Sequence, residues 1–396
     1  MNPITNPFSP GAGTPPPELT GRQTILNKAN IMFQRLKAGR SEKSFLLVGL
    51  RGVGKTVLLN EIHRIAIASG YKSILVEAHE KKSLPALLLP SLRELLFQLD
   101  RMENLSEKVK RSFRVLKSFL NGIKLKVHDV EISLDNDPEI GTADSGDLES
   151  DLPTLLESIA EAASDRKTAV AIIIDELQYL SENEMSALIM AIHRIAQKKL
   201  PLALVGAGLP QLVGLTGRSK SYAERLFDFP KIGPLEESDA IEALKGPANA
   251  QGVEITESAL NEIMRQTQGY PYFLQEWGYQ AWNLAEVSPI DLPTILLATK
   301  ESLHRLDESF FRVRFDRLTP REKEYLHALA ILGDGAQRSG SIAEKLNVKP
   351  QAVAPIRNNL IKKGMIYSPS YGDTDFTVPL FGDFMKRIMP VGPTLG

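Results

Sequence analysis

The chain has 396 residues, 43% of them hydrophobic and 24% charged, with a formal net charge of -1. That is room for about two or three domains with buried cores, and the near-neutral balance gives no global argument for nucleic acid or an acidic membrane surface. There is no cysteine, which excludes disulfides and thiolate metal sites, and no apolar run of about 18 uncharged residues that would span a bilayer, so a cytoplasmic protein without a membrane partner is expected.

In chain order, residues 1–17 carry Pro3, Pro7, Pro10 and Pro15-Pro16-Pro17 and read as a flexible, extended leader. A short turn, Glu18-Leu19-Thr20-Gly21-Arg22, precedes a helical pattern from Gln23 to Lys37. The apolar stretch Phe45-Leu46-Leu47-Val48 then runs into Gly49-Leu50-Arg51-Gly52-Val53-Gly54-Lys55-Thr56, and Val57, Leu58, Leu59 and Ile62 continue at helical spacing. This is the G-x-x-x-x-G-K-T phosphate loop in the strand-to-helix setting it requires. Gly49, Gly52 and Gly54 let the backbone turn its N–H groups toward phosphate oxygens. Lys55 supplies charge for the β and γ phosphates, Thr56 a hydroxyl for Mg²⁺, and Val53 and Val57 complete the expected contact set.

Ser73 to Ala78 reads as a second strand, and Leu84 to Leu120 as a helical stretch. Its cations Lys108, Lys110, Arg111, Arg114 and Lys117 are either a binding face or a solvated helix surface. Ile123 to Leu134 alternates as strands do, and the acid-rich Asp135 to Asp151 reads as a mobile insertion. His128 stands alone, without the partners a metal site would need. After a helix from Leu152 to Asp165, the all-apolar strand Thr168 to Ile174 ends in Asp175-Glu176. At such a strand end Asp175 suits the shell of Mg²⁺, and Glu176 suits the water that attacks the γ-phosphate. Leu200 to Val205 is a further apolar strand, with Gln178 and the loop after Val205 expected to flank the γ-phosphate. Apolar strands separated by helical stretches make a parallel sheet with helices on both faces and ligand at the carboxyl ends. Arg225, before a short strand near Phe229 to Ile232, either reaches a phosphate on a neighbouring subunit or pairs with Glu224 or Asp228.

Glu236 to Thr299 is helical throughout, broken at Gln268-Gly269-Tyr270-Pro271, and reads as a small lid. From Thr319-Pro320 onward the order is helix, helix, turn, helix and hairpin, which is that of a winged helix-turn-helix. Between Arg338 and Lys363 it holds Arg338, Lys345, Lys349, Arg357, Lys362 and Lys363 against Glu344 alone. Lys349, Gln351, Arg357 and Lys362 are the candidate duplex-DNA contacts. Asp373 and Asp375 in the wing oppose phosphate, which keeps a docking or dimerising role as the alternative.

Thr20-Gly21-Arg22, Gly49 to Thr56, Asp175-Glu176-Leu177-Gln178, Val205 to Gly208, Gly269-Tyr270-Pro271 and the terminal winged helix together resemble the AAA-like ATPases of the origin-recognition and STAND branches. The resemblance implies an α/β P-loop NTPase core at 18–235 with an insertion at about 80–151, a helical lid at 236–304, a linker at 305–318 and a winged helix at 319–396. It implies ATP and ADP with Mg²⁺ as ligands, Gly21 and Arg22 beside the adenine, and Lys55, Thr56, Asp175 and Glu176 at the phosphate, metal and catalytic positions. Arg225 matches the arginine finger, which implies a homo-oligomer, and Pro271 matches the Gly-x-Pro turn of STAND switches where replication initiators carry a sensor arginine. The expected function is an ATP-hydrolysing switch that couples nucleotide state to a DNA-binding winged helix. The alternative is a STAND-like switch whose winged helix binds a protein partner or itself, with little turnover.

Overall fold

The computed structural model describes residues 1–11, 13–14, 16–17, 19–100, 106–123 and 137–390. Its contacts divide the chain into two units, one of residues 22–48 and 55–231, the other of residues 1–21, 49–54 and 232–396.

The first unit runs α1 (Gln23–Lys37), β1 (Ser44–Val48), α2 (Lys55–Ala68), β2 (Tyr71–Glu77), α3 (Leu84–Asp100), α4 (Glu107–Ile123), α5 (Leu148–Asp165), β3 (Ala169–Asp175), α6 (Glu182–Gln197), β4 (Leu202–Gly208), α7 (Gln211–Ser219), α8 (Ala223–Leu226) and β5 (Phe227–Asp228). Among the described residues its sheet has five strands in the order β2-β3-β4-β1-β5, and every pairing is parallel. A parallel neighbour needs a long crossover, and the helices between these strands supply it. β3 and β4 are buried along their whole length, which is why both read as unbroken apolar runs. The register sets Ile174 beside Gly206, so the residues that leave β3 lie level with the last residues of β4.

The helical stretch expected from Leu84 to Leu120 is two helices, α3 and α4. The strands expected at 123–134, with His128, fall on residues 124–136, outside the described residues. The acid-rich segment, expected to be mobile, is tied down over residues 137–151. Asp147 caps α5, and buried Asp151 accepts from the Ser145 and Gly146 backbone N–H groups. Glu139 pairs with Arg111 at 3.0 Å and Arg114 at 3.8 Å, so those two α4 cations are paired on the surface.

The second unit continues with α9 (Glu237–Ala250), α10 (Glu257–Thr267), α11 (Pro271–Leu284), α12 (Leu292–Arg305), α13 (Arg312–Phe315), α14 (Pro320–Ile331), β6 (Gln337–Arg338), α15 (Ser339–Lys345), α16 (Pro350–Lys362), β7 (Ile366–Tyr367), β8 (Asp373–Phe376) and α17 (Phe381–Ile388). β6, β8 and β7 form an antiparallel sheet beside α14, α15 and α16, the arrangement of a winged helix. Thr319 and Glu322 cap α14 reciprocally, as the Thr-Pro-Arg-Glu pattern requires.

Two expectations change here. The linker at 305–318 is helical: a π-helical turn, Leu306–Phe311, joins α12 directly to α13. Its Leu306, Phe311, Phe315 and Leu318 are buried in the core that α9 to α12 share with α14 to α17. The leader is anchored over residues 1–11. Phe8 is buried against Gly278, where a Cβ would stand 2.7 Å from its ring. The Asn6 side chain donates to the Tyr279 carbonyl at 3.1 Å, and the Asn2 carbonyl accepts the Trp282 indole N–H at 2.9 Å.

Candidate functional site

In the first unit the carboxyl ends of β3 and β4 and the start of α2 gather the acids, the lysine and the threonine that the sequence singles out. Lys55 opens α2 and is 7% exposed. The Thr56 hydroxyl donates to Asp175 Oδ2 at 2.6 Å, while Asp175 Oδ1 accepts the Glu176 N–H at 2.8 Å. Asp175 is 6% exposed, and its main chain is pinned by the Ala78 N–H, which donates to its carbonyl at 2.9 Å. Burial pushes the Asp175 carboxyl above its usual range; the Thr56 hydrogen bond and the Lys55 charge oppose this, and the Glu176 charge adds to it. A buried carboxylate with a hydroxyl against it is a hard-oxygen pair that fits Mg²⁺. Among the described residues no cluster of three His, Cys, Asp or Glu side chains is present. Mg²⁺ does not require one, because it keeps waters and takes one or two protein oxygens together with phosphate.

Glu176 stands at φ 54°, a left-handed conformation that a non-glycine residue holds only when its surroundings impose it. A single 3₁₀ turn, Leu177–Tyr179, follows it. Within that turn the Gln178 amide donates to Glu176 Oε2 and accepts the Leu209 N–H at 3.0 Å. The sequence placed Gln178 near the site but gave it no partner.

In the second unit the loop 49–54 has its own partners. Gly52 and Gly54 lie at φ 81° and 89°, where glycine is the residue without strain. A Cβ on Gly49 would stand 2.2 Å from the Ile232 carbonyl oxygen. The Gly52 carbonyl accepts the Tyr272 N–H at 3.2 Å, next to Pro271 at the first turn of α11. The Arg51 N–H donates to the Thr377 carbonyl at 3.0 Å, just past β8. Val53 is buried. Thr20 and Gly21 lie against α9: the Thr20 hydroxyl donates to the Asp239 carbonyl at 3.0 Å, and a Gly21 Cβ would meet the Asp239 carboxylate. Tyr272, Thr377 and Asp239 carry no motif, so sequence reasoning passed over them.

The remaining candidates are scattered. Arg22, in the first unit, occupies the N-cap position of α1, and its carbonyl accepts from Ile25 and Leu26. Val57 is half-buried in the first turn of α2. Arg225 is exposed at the end of α8 and holds neither Glu224 nor Asp228, since Asp228 is taken by Lys28 at 2.5 Å and Lys43 at 3.7 Å. Lys349, at the N-cap of α16, and Gln351 and Lys362 within it are exposed. Arg357 faces inward, donating to Thr374 Oγ1 at 2.8 Å, Ser368 Oγ at 2.7 Å and the Asp373 carbonyl at 2.8 Å. Lys363 is likewise committed, to Glu322 at 2.7 Å.

Comparison with known proteins adds the following. Residues 18–205 match a family described as "AAA ATPase domain", and residues 308–385 match one described as "Domain of unknown function (DUF8462)". An uncharacterized HTH-type transcriptional regulator of Methanocaldococcus jannaschii is 24% identical over 347 residues, which cover 83% of this chain and 78% of that protein. The Walker-type ATPase of Pyrococcus abyssi has a similar fold, with a TM-score of 0.57 at 16% identity, over 94% of this chain and 97% of that one. The Aeropyrum pernix ORC1 protein, solved in complex with DNA, gives a TM-score of 0.48 at 16% identity over 94% of each chain.

Proposed function

We propose, from the match of residues 18–205 to the AAA ATPase domain family, that the chain binds ATP with Mg²⁺, hydrolyses it, and uses its nucleotide state to control a DNA-binding winged helix. The observation that carries the first part is the Thr56–Asp175 hydrogen bond, with buried Lys55 at its side and Glu176 next in the chain. The Lys55 ammonium receives the β and γ phosphates. Thr56 and Asp175 hold the Mg²⁺, which supplies charge neutralisation on the phosphates when bound. Glu176 orients the water for in-line attack on the γ-phosphorus, accepting its proton as the bond to the ADP oxygen breaks. Glu176→Gln is expected to retain ATP and lower turnover by about a hundredfold or more, the usual contribution of such a base. Loss of ATP binding together with hydrolysis would move Glu176 to a structural role.

The DNA part is supported by the exposed row on α16 and by the HTH-type name of the M. jannaschii relative. Arg338 and Lys345 add exposed charge beside Lys349 and Lys362. Duplex binding that falls steeply with salt, with the slope reduced by about one for each of Lys349→Ala and Lys362→Ala, is the expected result. Binding of a protein partner that ignores salt would favour the docking role. Arg225 is the candidate finger toward a neighbouring copy, and ATP-dependent oligomers lost in Arg225→Ala test it.

A further inference from the structure

We propose that Gln178 is a positioning residue that ties Glu176 to the exit of β4, so that the carboxylate meant for the attacking water is held by the loop after Gly208. The inference rests on the role given to Glu176 above. Its observations come from geometry alone.

The exit of β4 reads Gly206-Ala207-Gly208-Leu209 and carries no polar side chain, although it lies level with Asp175 and Glu176 leaving β3. Gln178 supplies the missing polar group from the side. Its Oε1 accepts the Leu209 N–H at 3.0 Å, and its Nε2 donates to Glu176 Oε2. Oε1 must face Leu209, because only that edge of the amide accepts, and the donor edge is thereby aimed at Glu176. Flipping the amide would break both bonds.

The surrounding chain is cut to this arrangement. A Cβ on Gly208 would stand 2.8 Å from Gln178 Oε1, and one on Gly206 would stand 2.2 Å from Leu177 Cδ1. The glycines of β4 and the Leu-Gln pair after Glu176 are therefore two halves of one fit. Glu176 itself is in the left-handed region at φ 54°, so its backbone does not hold the carboxylate in place by ordinary preference. The amide holds it, so a shift at Leu209 reaches the Glu176 carboxylate through the Gln178 side chain. Placement matters because a misplacement of about 1 Å costs about a hundredfold in rate.

Two substitutions separate the bonds. Gln178→Met keeps the length and loses both. Gln178→Glu keeps an acceptor for Leu209 and sets a second carboxylate against Glu176. Both are expected to lower the single-turnover hydrolysis rate by about ten- to a hundredfold while ATP affinity stays within about threefold. Hydrogen exchange at the Leu209 amide in nucleotide-free protein should quicken in Gln178→Met and stay near wild type in Gln178→Glu. Rates within about twofold of wild type in both variants, with Glu176→Gln inactive, would overturn the inference. A rate loss matched by equal loss of ATP affinity or of melting temperature would also overturn it, leaving a packing role. If the wild type fails to hydrolyse ATP under every condition, the role of Glu176 falls. The Leu209 exchange then still decides the tie: quicker exchange in Gln178→Met supports it, and unchanged exchange overturns it.

Discussion

Replacing Leu360 with alanine tests whether the lid and the winged helix fold as one body. Leu360 is fully buried in α16, within the core that also holds Trp277 and Trp282 of α11. Between them runs a chain of rings: Tyr272 stacks on Phe310 at 4.8 Å, Phe310 meets Phe311 at 5.3 Å, and Phe311 meets Phe384 at 5.3 Å and Phe381 at 5.7 Å. Removing a buried leucine side chain costs about 2 to 5 kcal/mol, and a site walled by helices on several sides collapses poorly, which argues for about 3 kcal/mol. At a urea dependence of about 2 to 3 kcal/mol per molar, the midpoint falls by about 1 M. The assay is unusually selective, because the chain has 2 tryptophans and both lie in α11, so fluorescence reports the lid alone. A lid transition that moves by about 1 M in response to a change in the winged helix is the expected outcome. An unmoved fluorescence transition, with helix content lost in a separate earlier step, would refute the single body.

The leader makes a second prediction: Phe8→Ala should cost about 3 to 5 kcal/mol, and Trp282, whose indole N–H donates to the Asn2 carbonyl, should report it. A midpoint unchanged within error would mean the leader contributes nothing to the fold. For Glu322, burial raises the carboxyl, but the Lys363 ammonium and the Thr319 N–H outweigh it and hold the group below its usual range. A depressed folded value gives stability that is present above the ordinary carboxylate range and lost as pH falls through the folded value. The melting deficit of Lys363→Met should therefore be full at neutral pH and shrink as the solution is acidified below that range. A deficit that stays constant would assign it to packing. Arg357→Ala should lower stability by breaking its three hydrogen bonds to the wing, whereas Lys362→Ala should leave melting unchanged, so only the second reads DNA contact cleanly.

The centre of the sheet was readable because β1, β3 and β4 are buried on both faces and so carry no alternation to confuse, and the Asp-Glu pair marks where β3 ends. The phosphate loop was readable because its chemistry demands glycine at fixed spacing. Gln178 needed the register of β3 against β4, which no local pattern encodes. The helical join at 305–318 did leave a trace, since Leu306, Phe310, Phe311 and Phe315 recur at helical spacing. Four charges interleaved with them (Asp307, Glu308, Arg312 and Arg314) mask that trace in the sequence. The leader misled for a related reason: its prolines do forbid a long helix, but extended chain can be anchored as firmly as helix when one ring and two asparagines find partners.

The shared core has a consequence for any signal that starts at the phosphate loop. The Gly52 carbonyl is held by the Tyr272 N–H, and the same residue's ring stacks on Phe310 in the π-helical turn. From there Phe311 contacts Phe381 and Phe384 of α17, while the Arg51 N–H reaches the winged helix directly at the Thr377 carbonyl. A joint that absorbs motion needs exposed, weakly packed chain, and the residues between α12 and α14 offer buried aromatics at each helical turn. Two sets of contacts therefore run from the loop, packed rings from Tyr272 through Phe310 and Phe311 to α17 and a main-chain hydrogen bond from Arg51 to Thr377, just past β8. Truncating Phe311 would cut the first and spare the second, so the share carried by each route is open to direct measurement.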